Sequence, residues 1–126
     1  METNPLKEYQ TVLYGMRADR LLDRLEIPRY YTWYGYIKEA IMLSACDGIF
    51  PGYVGRNIYS RIADSAGSTP SRVERDIRYV VITAWRRGYV PLLTEYFGYS
   101  ASGRYRRPSN LEFLRLAVKY VMNEQL

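Results

Sequence analysis

The chain has 126 residues, of which 48% are hydrophobic, and it carries a formal net charge of +5. This length and composition predict one globular domain rather than a disordered chain, and the excess of cationic side chains suits a polyanionic partner without saying which one. The absence of histidine excludes the usual zinc ligand sets and the Ser-His or Cys-His nucleophile pairs, so we expect neither an enzyme nor a metal or cofactor site.

Two helices are predicted in the first part of the chain. Asn4 or Thr3 can cap a first helix, which ends before Ile27-Pro28. A second helix is predicted from about Tyr31 to Ala45, with apolar residues at helical spacing, and it stops near Asp47-Gly48.

The middle of the chain predicts two helices joined by a tight turn. Residues 57–66 (NIYSRIADSA) form a short helix candidate, residues 67–69 (GST) form the turn, and a longer helix begins near residue 70. Two starts of this longer helix compete: Thr69 as N-cap with proline at the first position, or Ser71 as N-cap with a capping box to Glu74. A short helix, a glycine turn and a longer helix are typical of a helix-turn-helix.

The longer helix has two distinct faces. Its apolar side is predicted to face a core and comprises Val73, Ile77, Val80, Val81, Ala84 and Trp85. The opposite side carries Arg72, Arg75, Tyr79 and Arg86. From these residues alone, a DNA-binding surface and a solvated arginine face both remain open.

The remainder of the chain predicts further helix. Residues 91–96 are a short helix or turn, residues 100–107 a basic loop, and Ser109 or Asn110 caps a last helix. The sequence therefore predicts an all-α fold, a compact bundle of about five to six helices that contains a helix-turn-helix.

Two features indicate the compartment. Cys46 is the only cysteine, so no intrachain disulfide can form, and we expect it to be a buried small hydrophobe in a reducing interior. The first ten residues lack a basic leader followed by an apolar segment, and no apolar run approaches the ~20 residues of a membrane span. We therefore expect a cytoplasmic protein that makes no membrane contact.

Four separated motifs bring a family resemblance. They are SRVERDIR at 71–78, AWRRG at 84–88, FGYS at 97–100 and RPSNLEF at 107–113. Together they resemble the C-terminal effector domain of the sporulation response regulator called stage zero sporulation protein A. The resemblance implies a helix-turn-helix DNA-binding domain at residues 21–126, preceded at residues 1–20 by a helical extension instead of the phosphorylated receiver domain.

The resemblance also implies how the domain would bind double-stranded DNA. In that family, the positions that Arg72, Glu74 and Arg75 match approach the bases of a box similar to TGTCGAA. Arginine forks match the two acceptors of guanine, and glutamate accepts from the cytosine amino group. Phosphate contacts, which set register without reading sequence, are expected from Ser71, Arg78, Tyr79, Arg56, Arg61 and Arg107. From spacing alone, Glu74 and Arg78 also fit an ordinary i,i+4 helix pair.

Protein partners follow from the same resemblance. The segment after the recognition helix faces the polymerase sigma subunit in the family, and the matching positions are Val90, Leu92 and Phe97. A homodimer on tandem boxes is expected because one short helix reads too few bases for genomic selectivity. The first helix is the candidate pairing surface, or else it simply covers the core. The alternative is an antagonist that occupies boxes, or pairs with a full-length regulator, without activating polymerase.

The chain departs from the family pattern near the expected DNA surface. Tyr30, Thr32 and Trp33 stand where the family has histidine, lysine and glycine, Tyr79 replaces a histidine, and Asp76 replaces an alanine. A carboxylate at position 76 repels phosphate, so it is expected to weaken DNA binding or to alter the preferred box.

Overall fold

A computed structural model describes residues 4–52, 57–86 and 107–123. Within these ranges the chain forms five helices and no strand, which confirms the predicted all-α bundle. The helices are α1 (Pro5–Arg24), α2 (Thr32–Asp47), α3 (Ile58–Ala66), α4 (Pro70–Arg86) and α5 (Asn110–Met122). The short element predicted at residues 91–96 lies outside the described ranges. None of the described helices is long and apolar enough to cross a membrane.

Side-chain caps fix four helix starts within the described ranges, including that of α3, where the Asn57 side chain accepts from the amide of Tyr59 at 2.9 Å. The Asn4 side chain accepts from the amide of Leu6 at 3.0 Å, and Ser109 forms the predicted capping box with Glu112 at the start of α5. For α4 the structure selects Thr69, whose hydroxyl accepts from the amide of Arg72 at 3.3 Å. Ser71 therefore lies inside the first turn of α4, and the competing capping box is not used.

Two glycines end the helices that precede turns. Gly48 follows α2 with φ of 67°, and Gly67 follows α3 with φ of 65°. Because a side chain is strained in this left-handed conformation, glycine is the residue that ends a helix here most readily. Gly67 thereby produces the tight turn between α3 and α4.

The core lies around α2, which packs against each of the other four helices. Fully buried residues come from every helix and include Leu22, Ile37, Ile41, Ile62, Ile77 and Leu114. The predicted apolar face of α4 is confirmed for five of its six residues; Trp85 packs on the core but is only half-buried. Cys46, predicted to be a buried small hydrophobe, packs against the core but is only half-buried.

Helix α1 is continuous across the predicted boundary between residues 20 and 21. Ala18, Leu21 and Leu22 in its second half are buried, whereas most residues of its first half are exposed. Four large apolar side chains of α1 are exposed: Leu6, Tyr9, Val12 and Met16. The division into an extension and a domain stays a prediction.

Candidate nucleic-acid interface

Helices α3 and α4 form the helix-turn-helix, and α2 packs behind both. The turn is closed by the amide of Ser68, which donates to the carbonyl of Ala63 at 3.0 Å. Val73, Ile77 and Val80 are fully buried, so they fix which side of α4 faces inward. The opposite side of α4 is consequently presented to solvent.

The sequence-predicted contact residues of α4 share this outer part of the helix. Ser71, Arg72, Arg75, Arg78 and Tyr79 are all exposed. Glu74 and Asp76 are half-buried on the flanks of the same surface. The structure thus brings six of the nine predicted DNA-contact residues together on one helix.

Two ion pairs organise the charges on α4. Arg75 Nε lies 3.5 Å from Asp76 Oδ1, and Arg78 Nη1 lies 3.6 Å from Glu74 Oε1. Both arginine side chains are about half-exposed and both pairs are long, so each pair contributes little to stability, about 0–1 kcal/mol, and an anionic ligand can replace the carboxylate at low cost. The Arg75 pair also offsets part of the negative field of Asp76 before any DNA approaches.

The remaining predicted contact residues lie outside α4. Arg61 is exposed on α3, and Arg107 is exposed just before α5. Arg56 and the three predicted polymerase-contact residues, Val90, Leu92 and Phe97, lie outside the described ranges. Nowhere in those ranges do three His, Cys, Asp or Glu side chains group so as to hold a metal ion.

Asn110 ties the recognition helix to the rest of the bundle. Its Nδ2 donates to the Tyr59 hydroxyl of α3 at 3.0 Å and to the backbone carbonyl of Glu74 in α4 at 3.3 Å. Burial raises the pKa of the Tyr59 phenol, so this hydroxyl stays protonated at neutral pH. One side chain at the start of α5 therefore bridges both helices of the helix-turn-helix.

Sequence reasoning missed this role, since it treated Asn110 only as a possible helix cap. The observed cap is Ser109, which leaves the Asn110 side chain available for contacts outside its own helix. The RPSNLEF motif thus supplies both the capping box of α5 and the link to α4. No local pattern in a sequence distinguishes an asparagine that bridges two other helices from one that caps.

Asn110→Ala is expected to lower the free energy of unfolding by about 1–3 kcal/mol, because it leaves the half-buried Tyr59 hydroxyl and a helix carbonyl without this donor. Urea unfolding measures the change. Tyr59→Phe is the matched control, expected to cost about 1 kcal/mol, and the double variant should cost less than the sum because the two groups share a hydrogen bond. A loss below about 0.5 kcal/mol for Asn110→Ala would show that the bridge contributes nothing beyond a surface contact.

Comparison with known protein families gives one match over most of the chain. Residues 18–121 match the family model described as the C-terminal domain of the sporulation initiation factor Spo0A. The matched range contains α2 to α4, all of α5 except its last residue, and every predicted DNA-contact residue. It begins inside α1, so the exposed apolar residues of the first half of that helix lie outside it.

Proposed function

The chain belongs to the family of the Spo0A C-terminal domain, a DNA-binding effector domain of sporulation, and we propose that it is a sequence-specific transcription regulator that reads a TGTCGAA-like box in double-stranded DNA. One observation carries the proposal. The second helix of the helix-turn-helix buries one side in the core and exposes Arg72 and Arg75 on the other. The proposed activity is binding and regulation, not catalysis.

In the proposed complex the N-terminal turns of α4 lie in the major groove. Arg72 and Arg75 donate in pairs to guanine O6 and N7, and Glu74 accepts from a cytosine amino group. The ion pairs that hold Arg75 and Glu74 in the free protein are weak enough to exchange for these contacts. Reading the box therefore needs side-chain rearrangement on α4 and no change of fold.

Phosphate contacts fix the register of α4 in the groove. Ser71, Arg78 and Tyr79 are exposed beside the base-reading residues and suit the two edges of the groove. Arg61 and Arg107, with Arg56, extend the basic surface beyond α4. When the logarithm of the binding constant is plotted against the logarithm of the salt concentration, each side chain that neutralises one phosphate makes the negative slope steeper by about 0.9.

The proposal is tested by comparing two labelled duplexes, one with the box and one with its bases scrambled, at physiological salt. The box duplex is expected to bind at least tenfold more tightly, a margin of about 1.4 kcal/mol. Unrelated single-stranded RNA of equal length serves as competitor. Equal affinity for box and scrambled duplexes would refute sequence-specific reading, and equal competition by RNA would indicate a nonspecific nucleic-acid binder.

We further propose that two copies pair on tandem boxes. The exposed apolar side chains of α1, such as Val12 and Met16, offer a surface that the family match does not include. Pairing would rely on the DNA, which holds both copies close and raises their effective concentration. A duplex with two boxes should then bind more cooperatively than one with a single box.

The direction of regulation depends on the polymerase. We propose a contact with the sigma subunit through Val90, Leu92 and Phe97, as the family resemblance implies. The alternative is an antagonist that occupies boxes without recruiting polymerase. Adding purified sigma subunit to the protein–box complex separates the two: a slower-migrating ternary complex supports activation, and its absence supports antagonism.

A further inference from the structure

Four aromatic rings form a continuous chain at the edge of the recognition helix. We call Tyr30, Tyr31, Trp33 and Tyr79 the aromatic strip. Successive ring centroids lie 4.7 Å apart from Tyr30 to Tyr31, 4.9 Å from Tyr31 to Trp33 and 5.9 Å from Trp33 to Tyr79. The strip joins the turn between α1 and α2 to the outer side of α4.

Three rings of the strip are exposed and one is anchored. Tyr30 is 82%, Tyr79 44% and Tyr31 37% exposed, whereas Trp33 is half-buried and packs against the core. A single exposed ring is ordinary, but contiguous exposed aromatic side chains are a feature of interaction sites. The strip is therefore a candidate contact surface.

The turn that carries Tyr30 and Tyr31 is held in place by its neighbours. Arg29 donates two hydrogen bonds to Asp23, at 3.1 and 2.7 Å, and its guanidinium lies 5.8 Å from the centroid of the Tyr34 ring. The Tyr34 hydroxyl in turn donates to Asp19, which Lys38 also contacts at 2.9 Å. A partner would thus meet rings that are already positioned, which reduces the entropy lost on binding.

The position of Tyr79 sets the direction in which the strip extends. On an α-helix Tyr79 lies one turn beyond Arg75 and two turns beyond Arg72, on the same side. The strip therefore meets the proposed base-reading surface at Tyr79, which lies beyond Arg72 and Arg75 from the start of α4. The rings themselves carry no charge, and Asp23 and Asp76 are each paired with an arginine.

From this placement we propose that the aromatic strip is a second, uncharged DNA contact, which lies against the sugar-phosphate backbone beside the box. The proposal rests on the proposed function, since it places the duplex against α4. Tyrosine hydroxyls donate to phosphate oxygens, and the ring bodies cover deoxyribose carbons. A phenol hydroxyl adds affinity without neutralising a phosphate. The number of counterions released on binding, which Lys and Arg determine, therefore stays the same.

The size of the strip sets how far the contact reaches. Its three centroid steps of 4.7, 4.9 and 5.9 Å place Tyr30 no more than roughly 15 Å from Tyr79, the length of about four base pairs. The contact is therefore expected within about four base pairs on one side of the box. DNA beyond that distance should not affect it.

The test compares salt dependence among single variants on a duplex with long flanks. Tyr30→Ala and Tyr79→Phe are each expected to lower affinity about three- to tenfold and to leave the log–log salt slope unchanged. Arg78→Ala is the charged comparison, expected to lower affinity and to reduce the slope by about 1. Tyr9→Ala, at an exposed tyrosine of α1, is the matched control on a duplex with a single box, where no second copy pairs through α1, and should bind like wild type.

Trimming the flanks locates the contact. When the duplex is cut back to the box on the strip side, wild type and Tyr30→Ala should bind equally, while trimming the other side should preserve their difference. If wild type prefers the box but both strip variants match it on long duplexes, the strip inference is overturned and the proposed function stands. A strip variant that changes the salt slope would also overturn it. Loss of box preference in wild type itself would instead refute the proposed function.

Discussion

Arg72→Ala is expected to lower affinity for the box duplex by about 1–3 kcal/mol and to relax discrimination at one base pair, because a bidentate arginine–guanine contact carries about that much. Arg72 is exposed at the start of α4, so the free energy of unfolding should change by no more than about 0.5 kcal/mol. Titration of box and scrambled duplexes gives the effect as a loss of preference. Binding to the scrambled duplex should fall far less.

Arg72→Lys separates the contribution of the two parallel arginine donors to binding from the contribution of the positive charge. Lysine keeps the cation but presents a point charge in place of a planar pair of donors. We therefore expect this variant to retain the salt slope and lose most of the box preference. Arg86→Ala, an exposed arginine at the far end of the same helix, is the matched control and should retain the preference. Full preference in Arg72→Lys would show that Arg72 acts only through its charge.

Ile77→Ala is expected to have the largest effect on stability, a loss of about 2–5 kcal/mol in the free energy of unfolding. Ile77 is fully buried at the centre of the inner side of α4, and the cavity would open where α4 packs against the core. Since small domains have only about 5–15 kcal/mol in total, DNA binding at physiological temperature should fall through loss of folded protein. Denaturant unfolding measures the change directly.

A residue on the same helix provides the comparison for Ile77. Ile82 is half-buried, so Ile82→Ala removes the same atoms from a less enclosed site and should cost clearly less. Equal losses in the two variants would contradict the assigned packing of α4. Cooling should restore box binding in Ile77→Ala if the loss is one of folding, because the base-reading residues are unchanged.

Much of the fold was predictable because its signals are local. Apolar spacing places Val73 and Ile77 on the inner side of α4, and Gly67 ends the preceding helix through a conformation that other residues avoid. The start of α4 was ambiguous since two capping patterns overlapped within three residues. The structure uses Thr69, which places proline at the first helical position, where its missing amide proton is not needed.

The features that sequence reasoning missed depend on residues far apart in the chain. The Asn110 bridge joins three helices, and the aromatic strip joins a turn near residue 30 to the middle of α4. Such contacts arise from packing, which periodicity does not encode. The extent of burial at Cys46 was likewise not predictable, because helical spacing gives the side of a helix but not how deeply its flank is covered.

For the candidate site, spacing predicted which side chains share a surface but not what each of them contacts. Spacing predicted that Arg72, Arg75 and Tyr79 share an exposed side of one helix, as the structure shows. Which of them reads a base and which contacts a phosphate came from the family resemblance alone. These roles stay predictions, since a free protein shows which donors are presented and not which acceptors they meet.

The most direct test of base reading by α4 is a double-mutant cycle that pairs the removal of one arginine with the removal of one acceptor atom of the DNA. Each guanine of the box is replaced in turn by 7-deazaguanine, which lacks the N7 acceptor, and affinity is measured for wild type and Arg72→Ala. If Arg72 forks onto a guanine, one substitution should cost wild type about tenfold, some 1.4 kcal/mol, and cost Arg72→Ala almost nothing. If every substituted duplex binds wild type as tightly as the natural box, Arg72 reads no guanine in the major groove.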